Sequence, residues 1–331
     1  MNYITPYGGA VIMLRKWDIV GQYGGFYVIC LVMTMLFSCA GGHEEGKMII
    51  ERVDGLDLSQ YPATPSEKPV DLLFIHHSIG SQLLAEKAPE PDAQRLYTKH
   101  PNGGGLKALL EKNNYVVHEA SFGSLIGNDT DICHWNVKFR DHMEKVLTCR
   151  NQDEYFTDGT RNKVVMIKSC YPNNHFMADG EEPGNPDSCE RTVANARAAY
   201  NALLVHFQGQ QNTLFVVLTA PPIAEPNEKR IKNLKKQGLI IGNEPPVTIA
   251  NRARVFNNWL KDPENGWLKG YPLKNVVVFD YYDILTGTGQ TNWSAYPTRE
   301  GMDSHPSSEG NSKAAQEFVP FLNRALHRFG L

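Results

Sequence analysis

Five short apolar runs, alternating with stretches of helical spacing, constrain this chain more than any other feature. They are Val70–Ile75 (VDLLFI), Tyr115–Ala120, Lys163–Ile167 (KVVMI), Thr213–Thr219 (TLFVVLT) and Asn275–Asp280 (NVVVFD). Runs of this length, rich in Val, Ile and Leu, suit strands buried on both faces of a parallel sheet. Helical stretches fall around 103–112, 135–147, 191–208, 247–260 and 308–328. In 191–207, for example, Val193, Ala196, Ala199, Tyr200, Leu203, Leu204 and Phe207 recur every three or four residues and mark one helix face. The alternation predicts an α/β fold, a single three-layer domain with a mostly parallel five-stranded sheet and right-handed crossovers. No internal repeat and no second strand–helix series is visible, so residues 70–331 read as one domain.

The N-terminus reads differently. Phe26–Phe37 (FYVICLVMTMLF) is uncharged and apolar, and Arg15 and Lys16 precede it. As a helix its twelve residues rise about 18 Å, short of the roughly 30 Å of a hydrocarbon core. A basic flank, a short apolar run and small residues after it are the layout of a secretory signal peptide, here residues 1–38. Leu36-Phe37-Ser38-Cys39, followed by Ala40-Gly41-Gly42, resembles a bacterial lipobox, which implies lipidation at Cys39. Residues 39–69, with paired Gly, paired Glu and several Pro, read as a tether. The expected location is the cell envelope, at the outer membrane or cell surface. The lipid anchor alone would contact the membrane.

Of 33 basic and 36 acidic side chains, Arg15, Lys16 and Asp18 lie in the signal; the remainder carries 31 against 35, a net charge of −4. That balance excludes the basic face a nucleic-acid partner needs. Beyond Cys39 four cysteines remain, Cys133, Cys149, Cys170 and Cys189, and four allow three pairings. Export permits disulfides. The pairing favoured is Cys170 with Cys189, which brackets the long loop 171–190. The spacings match no zinc pattern.

Ligands of parallel sheets bind beyond the carboxyl ends of the strands, and polar blocks follow these strands. His76-His77-Ser78 and Gly80 follow the first, SFGSLIGND the second and KSCYPNNHF the third, while DSHPSSEGN precedes the last helix. Serine becomes a nucleophile when a base takes its proton and a third group orients that base. Asp303 and His305 supply both functions from one loop. This arrangement resembles the SGNH (GDSL-like) hydrolase family of flavodoxin-like esterases and acyl hydrolases, over roughly residues 70–328. The resemblance implies Ser78 as nucleophile, His305 as general base and Asp303 as its orienting acid. It also implies Gly123 (backbone N–H) and Asn173 (side-chain amide) as the oxyanion hole. Asn174 is the alternative to Asn173. The family blocks Gly-Asp-Ser, Gly-x-Asn-Asp and Asp-x-x-His are altered here to His76-His77-Ser78, Tyr171-Pro172-Asn173-Asn174 and Asp303-Ser304-His305.

The two adjacent histidines leave a strand on opposite faces, which argues against one metal ion bound by both. One packs beneath the nucleophile and the other, His77, lines the pocket. The loop 171–190 forms a wall of the site, where Tyr171 and His175, with Trp135 and Trp293, are candidates for contacting a sugar ring. The Lys-rich stretch 225–246 reads as a solvated helix face. Together these residues predict a serine esterase that needs no cofactor and removes short acyl groups, acetyl foremost, from a small-molecule or glycan ester. The alternatives are a non-catalytic glycan-binding lipoprotein on the same fold, prompted by the altered blocks, and a metal-dependent hydrolase.

Overall fold

The structure is a computed structural model that describes residues 57–93, 96–238 and 244–331. All belong to one compact unit, Arg52–Leu331. The signal peptide and Cys39 lie outside the described residues.

In chain order the strands are β1 (Val70–Ile75), β2 (Glu86–Lys87), β3 (Lys99–His100), β4 (Tyr115–Ala120), β5 (Cys149–Asn151), β6 (Glu154–Tyr155), β7 (Val164–Lys168), β8 (Leu214–Leu218), β9 (Val276–Phe279), β10 (Pro297–Thr298) and β11 (Asp303–Pro306). The α-helices are α1 (Ser78–Leu84), α2 (Leu106–Glu111), α3 (Ile132–Thr148), α4 (Val193–Gln208), α5 (Glu228–Lys236), α6 (Pro246–Lys261), α7 (Tyr281–Leu285) and α8 (Ser308–Phe329). The main sheet has the order β6-β5-β4-β1-β7-β8-β9. Its five long strands are the five apolar runs, mutually parallel in the order second, first, third, fourth, fifth, the flavodoxin-like arrangement.

The sheet has seven strands where five were expected. β5 pairs with β4 in parallel, and β6 returns antiparallel to β5. These added strands are two or three residues long and mostly polar, so they leave no hydrophobic period in the sequence.

Alternate strand residues face two cores. Leu73, Ile75, Val165, Ile167, Phe215 and Val217 meet α3, α4 and α6 on one side. Leu72, Phe74, Val164, Met166, Val216 and Val277 meet α1, α2, α7 and α8 on the other. Burial on both faces is why these strands read as continuous apolar runs.

The last described part of the segment read as tether is packed onto the body. Leu58 enters the second core. Arg324 of α8 donates to the carbonyls of Ser59 and Tyr61 at 2.9 and 2.6 Å, and Asn323 donates to Ala63 at 2.8 Å. Extended backbone with no strand partner has its carbonyls satisfied by these side chains.

The expected Cys170–Cys189 bond is replaced by Cys133–Cys189, with a Cα–Cα distance of 5.1 Å. Cys133 stands in the first turn of α3, against the end of the 171–190 loop, whereas Cys170 lies 3.6 Å from Lys168 Nζ. Nearness along the chain favoured Cys170; the fold brings Cys133 closer. Cys149 and Cys170 are free thiols. Alkylation in denaturant without reduction should therefore label Cys149 and Cys170, and peptide mapping should find Cys133 joined to Cys189. Replacing Cys189 by Ser should lower the unfolding free energy by about 2–4 kcal/mol, measured by denaturant titration, while Cys170→Ser should leave the bond intact.

Candidate active site

β1 lies between β4 and β7, the point where the chain reverses its direction of winding across the sheet. Crevices open at such switch points, beyond the strand carboxyl ends. His76 extends the ladder by one bond, its N–H donating to Ala120 O at 3.0 Å, and α1 begins two residues later at Ser78. Gly80 permits the tight turn, because a Cβ there would fall 2.3 Å from His76 Cβ.

The structure brings the three residues expected to act together into one relay. Ser78 Oγ is 2.9 Å from His305 Nε2, and His305 Nδ1 is 2.7 Å from Asp303 Oδ1. Asp303 and His305 are two apart on β11, so both side chains leave the same strand face. Between them Ser304 points the other way and is fully buried, accepting from Ala224 N–H and from Arg230 of α5. Burial works to raise the Asp303 pKa, but the side-chain and backbone hydrogen bonds from His305 prevail and hold it below the usual carboxylate value. An ionised Asp303 keeps the proton of His305 on Nδ1 and leaves Nε2 free to accept from Ser78.

The two histidines before Ser78 diverge. His76 is fully buried, while the His77 Nε2–H donates to Gly127 O at 2.9 Å and the His77 ring stacks on Phe122 with centroids 3.5 Å apart. Burial lowers the His77 pKa to about 4, so it is a neutral wall of the cleft. Tyr171 packs edge-on against His305 at 5.3 Å. His100 of β3 lies near His305, and burial lowers its pKa.

Gly123 and Asn173 are placed differently from their expected roles. The Gly123 N–H donates to Asn128 Oδ1 at 2.8 Å. The Asn173 amide donates to Asp131 Oδ1 at 2.8 Å and to Cys170 O at 3.2 Å, and its Oδ1 accepts from Ile132 N–H. Asn174 is no substitute, since its amide is held by the carbonyls of Ala220 and Pro221. In the structure these amides brace loops.

Trp135 is fully buried, donating to Ser169 Oγ at 2.8 Å, so it is core and not a sugar contact. α5 keeps its lysines exposed but turns Arg230, Asn233, Leu234 and Gln237 toward a cavity of about 230 Å³, shared with Tyr171, His175 and Met302. The spacing of those four helix residues was the available signal for this second, inward face. His175 is buried with its Nδ1 unpartnered, and burial lowers its pKa to about 4. A second cavity of about 240 Å³ lies over the disulfide, lined by Asp131, His134, Asn173, Cys189 and Arg191. There the donor atoms of Cys133, His134 and Cys189 lie within 4.8 Å of one another, but the two sulfurs are bonded to each other and not free as ligands.

His77 and His175 are neutral in the folded state down to about pH 4, while in the unfolded chain they titrate near pH 6.5. The unfolded state thus binds more protons between these values, and stability should fall as pH drops from about 6.5 to 4. Unfolding at about pH 5 should take up roughly one to two protons, and His175→Gln should remove about one. Asp303 adds stability above the usual carboxylate pKa that is lost as pH falls through its lower folded value. Denaturant melts across this range measure the slopes.

No family model matches the chain, and no curated protein matches it. Among solved structures it is similar to a catalytic mutant of an acetylxylan esterase from Geobacillus stearothermophilus, at 12% sequence identity and a TM-score of 0.35, covering 80% of this chain and 95% of that one.

Proposed function

We propose that this chain is an exported, lipid-anchored serine esterase that removes short acyl groups, acetyl foremost, from carbohydrate. One observation carries the reading: Ser78 Oγ, His305 and Asp303 form a continuous relay at 2.9 and 2.7 Å at the switch point of a parallel sheet. The four sequence blocks that resemble SGNH hydrolases support it. The apolar run 26–37 and the lipobox-like residues ending at Cys39 support export and anchoring in the cell envelope.

In this mechanism His305 Nε2 takes the Ser78 proton as Oγ adds to the ester carbonyl carbon. The imidazolium is stabilised by Asp303. The tetrahedral intermediate collapses by breaking the bond to the alcohol oxygen, which receives the proton from Nε2 and leaves. Water then repeats the sequence on the acyl-enzyme, releasing the acid and restoring Ser78. The oxyanion needs donors already in place, each worth on the order of 3 kcal/mol. The Ser78 backbone N–H has no acceptor among the described residues and is one such donor.

Because Nε2 protonates the leaving alcohol, the alcohol lies on the His305 flank. Tyr171 stands there, with the cavity lined by Arg230, Asn233 and Gln237 beyond it. An aromatic edge and the side-chain amides of Asn233 and Gln237 suit a hydroxyl-rich alcohol such as a sugar. Tyr171, His175 and His77 are the substrate-facing residues of this reading.

A fluorophosphonate should label Ser78 stoichiometrically, and Ser78→Ala should abolish labelling. Turnover of p-nitrophenyl acetate should fall about 10⁴-fold or more in Ser78→Ala and in His305→Ala, and about 10²- to 10⁴-fold in Asp303→Asn. A wild-type protein that neither labels nor hydrolyses acetyl esters, yet retains glycans, would establish the glycan-binding alternative instead.

A further inference from the structure

His76, with its ring beneath the nucleophile turn, has a hydrogen-bonding pattern that fixes its charge. Its Nδ1 is 3.0 Å from His77 O, and its Nε2 is 3.2 Å from Glu119 Oε2. A carbonyl and a carboxylate only accept, so the ring must donate from both nitrogens unless Glu119 carries a proton. Glu119 is not in that state. Its other oxygen accepts from Lys107 Nζ at 2.9 Å, an ion pair that favours the carboxylate form. Two basic side chains, His76 and Lys107, thus face one carboxylate. His76 is fully buried and Glu119 nearly so, whereas the Lys107 side chain is 39% exposed.

The cluster is coupled to Ser78 through one peptide. His77 O, which accepts from His76 Nδ1, also accepts from Ser81 N–H at 3.1 Å, the bond that closes the first turn of α1. The His76 ring thus holds the peptide preceding the nucleophile, and Gly80 leaves room for it. Meanwhile Gly123 N–H and the Asn173 amide are committed to other acceptors. Negative charge developing on a substrate carbonyl at Ser78 then meets fewer side-chain and loop donors. A fixed buried positive charge behind the turn acts in the same direction, most strongly where water is excluded.

We propose that His76, held as an imidazolium by Glu119 and Lys107, is the positioning residue of Ser78 and supplies the positive potential that stabilises the oxyanion. This rests on the serine-esterase reading of Ser78. The side chain touches no substrate; it acts through the His77 peptide and through its field. Lys107 keeps Glu119 ionised from the rim of the fold, and Glu119 keeps the ring doubly protonated.

Ring nitrogen–proton NMR on the full chain, at about pH 7.5, should detect two His76 N–H groups in the wild type and one in Glu119→Gln. In Glu119→Gln, kcat for p-nitrophenyl acetate should fall roughly tenfold or more with KM within about twofold. The affinity for a boronate that adds to Ser78 should fall by the same factor, since its adduct mimics the oxyanion. Lys107→Met alters a partly exposed side chain, so it folds even if Glu119→Gln does not, and it should give the same pattern at about threefold. A purely structural role predicts a lower melting temperature with kcat per folded molecule and boronate affinity unchanged. That result, or a single ring N–H in the wild type, overturns the proposal. If the wild type neither labels with a fluorophosphonate nor turns over acetyl esters, the esterase reading fails, and the two N–H signals still decide the charge of His76.

Discussion

The clamping of β1 between two parallel neighbours is the constraint on which the rest of the site depends. β1 is bonded to β4 along its whole length and to β7 from Leu72 to Ile75, and Leu72 through Ile75 are fully buried on both faces. Sliding its end by one residue would break two ladders and exchange the residues facing the two cores. The three residues that follow inherit that rigidity. His76 drops toward Glu119, His77 turns to the loop after β4, and Ser78 opens a helix facing the crevice. Ser78, in the role proposed for it, needs positional accuracy more than intrinsic reactivity, and that accuracy comes from a strand whose last four residues are fully buried.

The same strand explains why much of the molecule was legible in its sequence. A strand covered on both faces is apolar at most positions, so the five long strands were visible as runs, and the polar blocks after them marked the crevice. Ser78, Asp303 and His305 were legible because their chemical types recur at those ends. What escaped is decided by long-range packing. Nearness along the chain favours Cys170 as the partner of Cys189 until α3 is docked beside the loop 171–190, which brings Cys133 there instead. Gly123 and Asn173 occupy expected places, but Asn128 and Asp131, both ordinary loop residues, engage their donors. Nothing near Glu119 or Lys107 in the sequence connects them to His76, forty-three and thirty-one positions away; adjacency of β1, β4 and α2 does.

The surrounding loops show a division of labour between bracing and binding. Asn173, Asn174 and Trp135 use their polar atoms inside the protein and fix the loop after β7. Tyr171, His175 and Asn233 of α5 retain polar groups along a cavity, whereas Arg230 beside them is bonded to Gly301 and Ser304. Polar residues in a site loop therefore fall into two sets, separated by whether their hydrogen bonds are already made. Sequence alone cannot sort them, because both sets have the same composition.

The placement of Asp303 and His305 on one strand has a wider consequence. The two residues are carried by a three-residue cassette whose pleat alone sets their mutual orientation, with Ser304 as its root in the core. Inserting a single residue between them would turn His305 to the far side of the pleat, whereas changing the identity of the middle residue would leave the pair aligned. What is preserved in such a relay is an angle around the backbone, and two residues of strand reach it as well as a longer loop does.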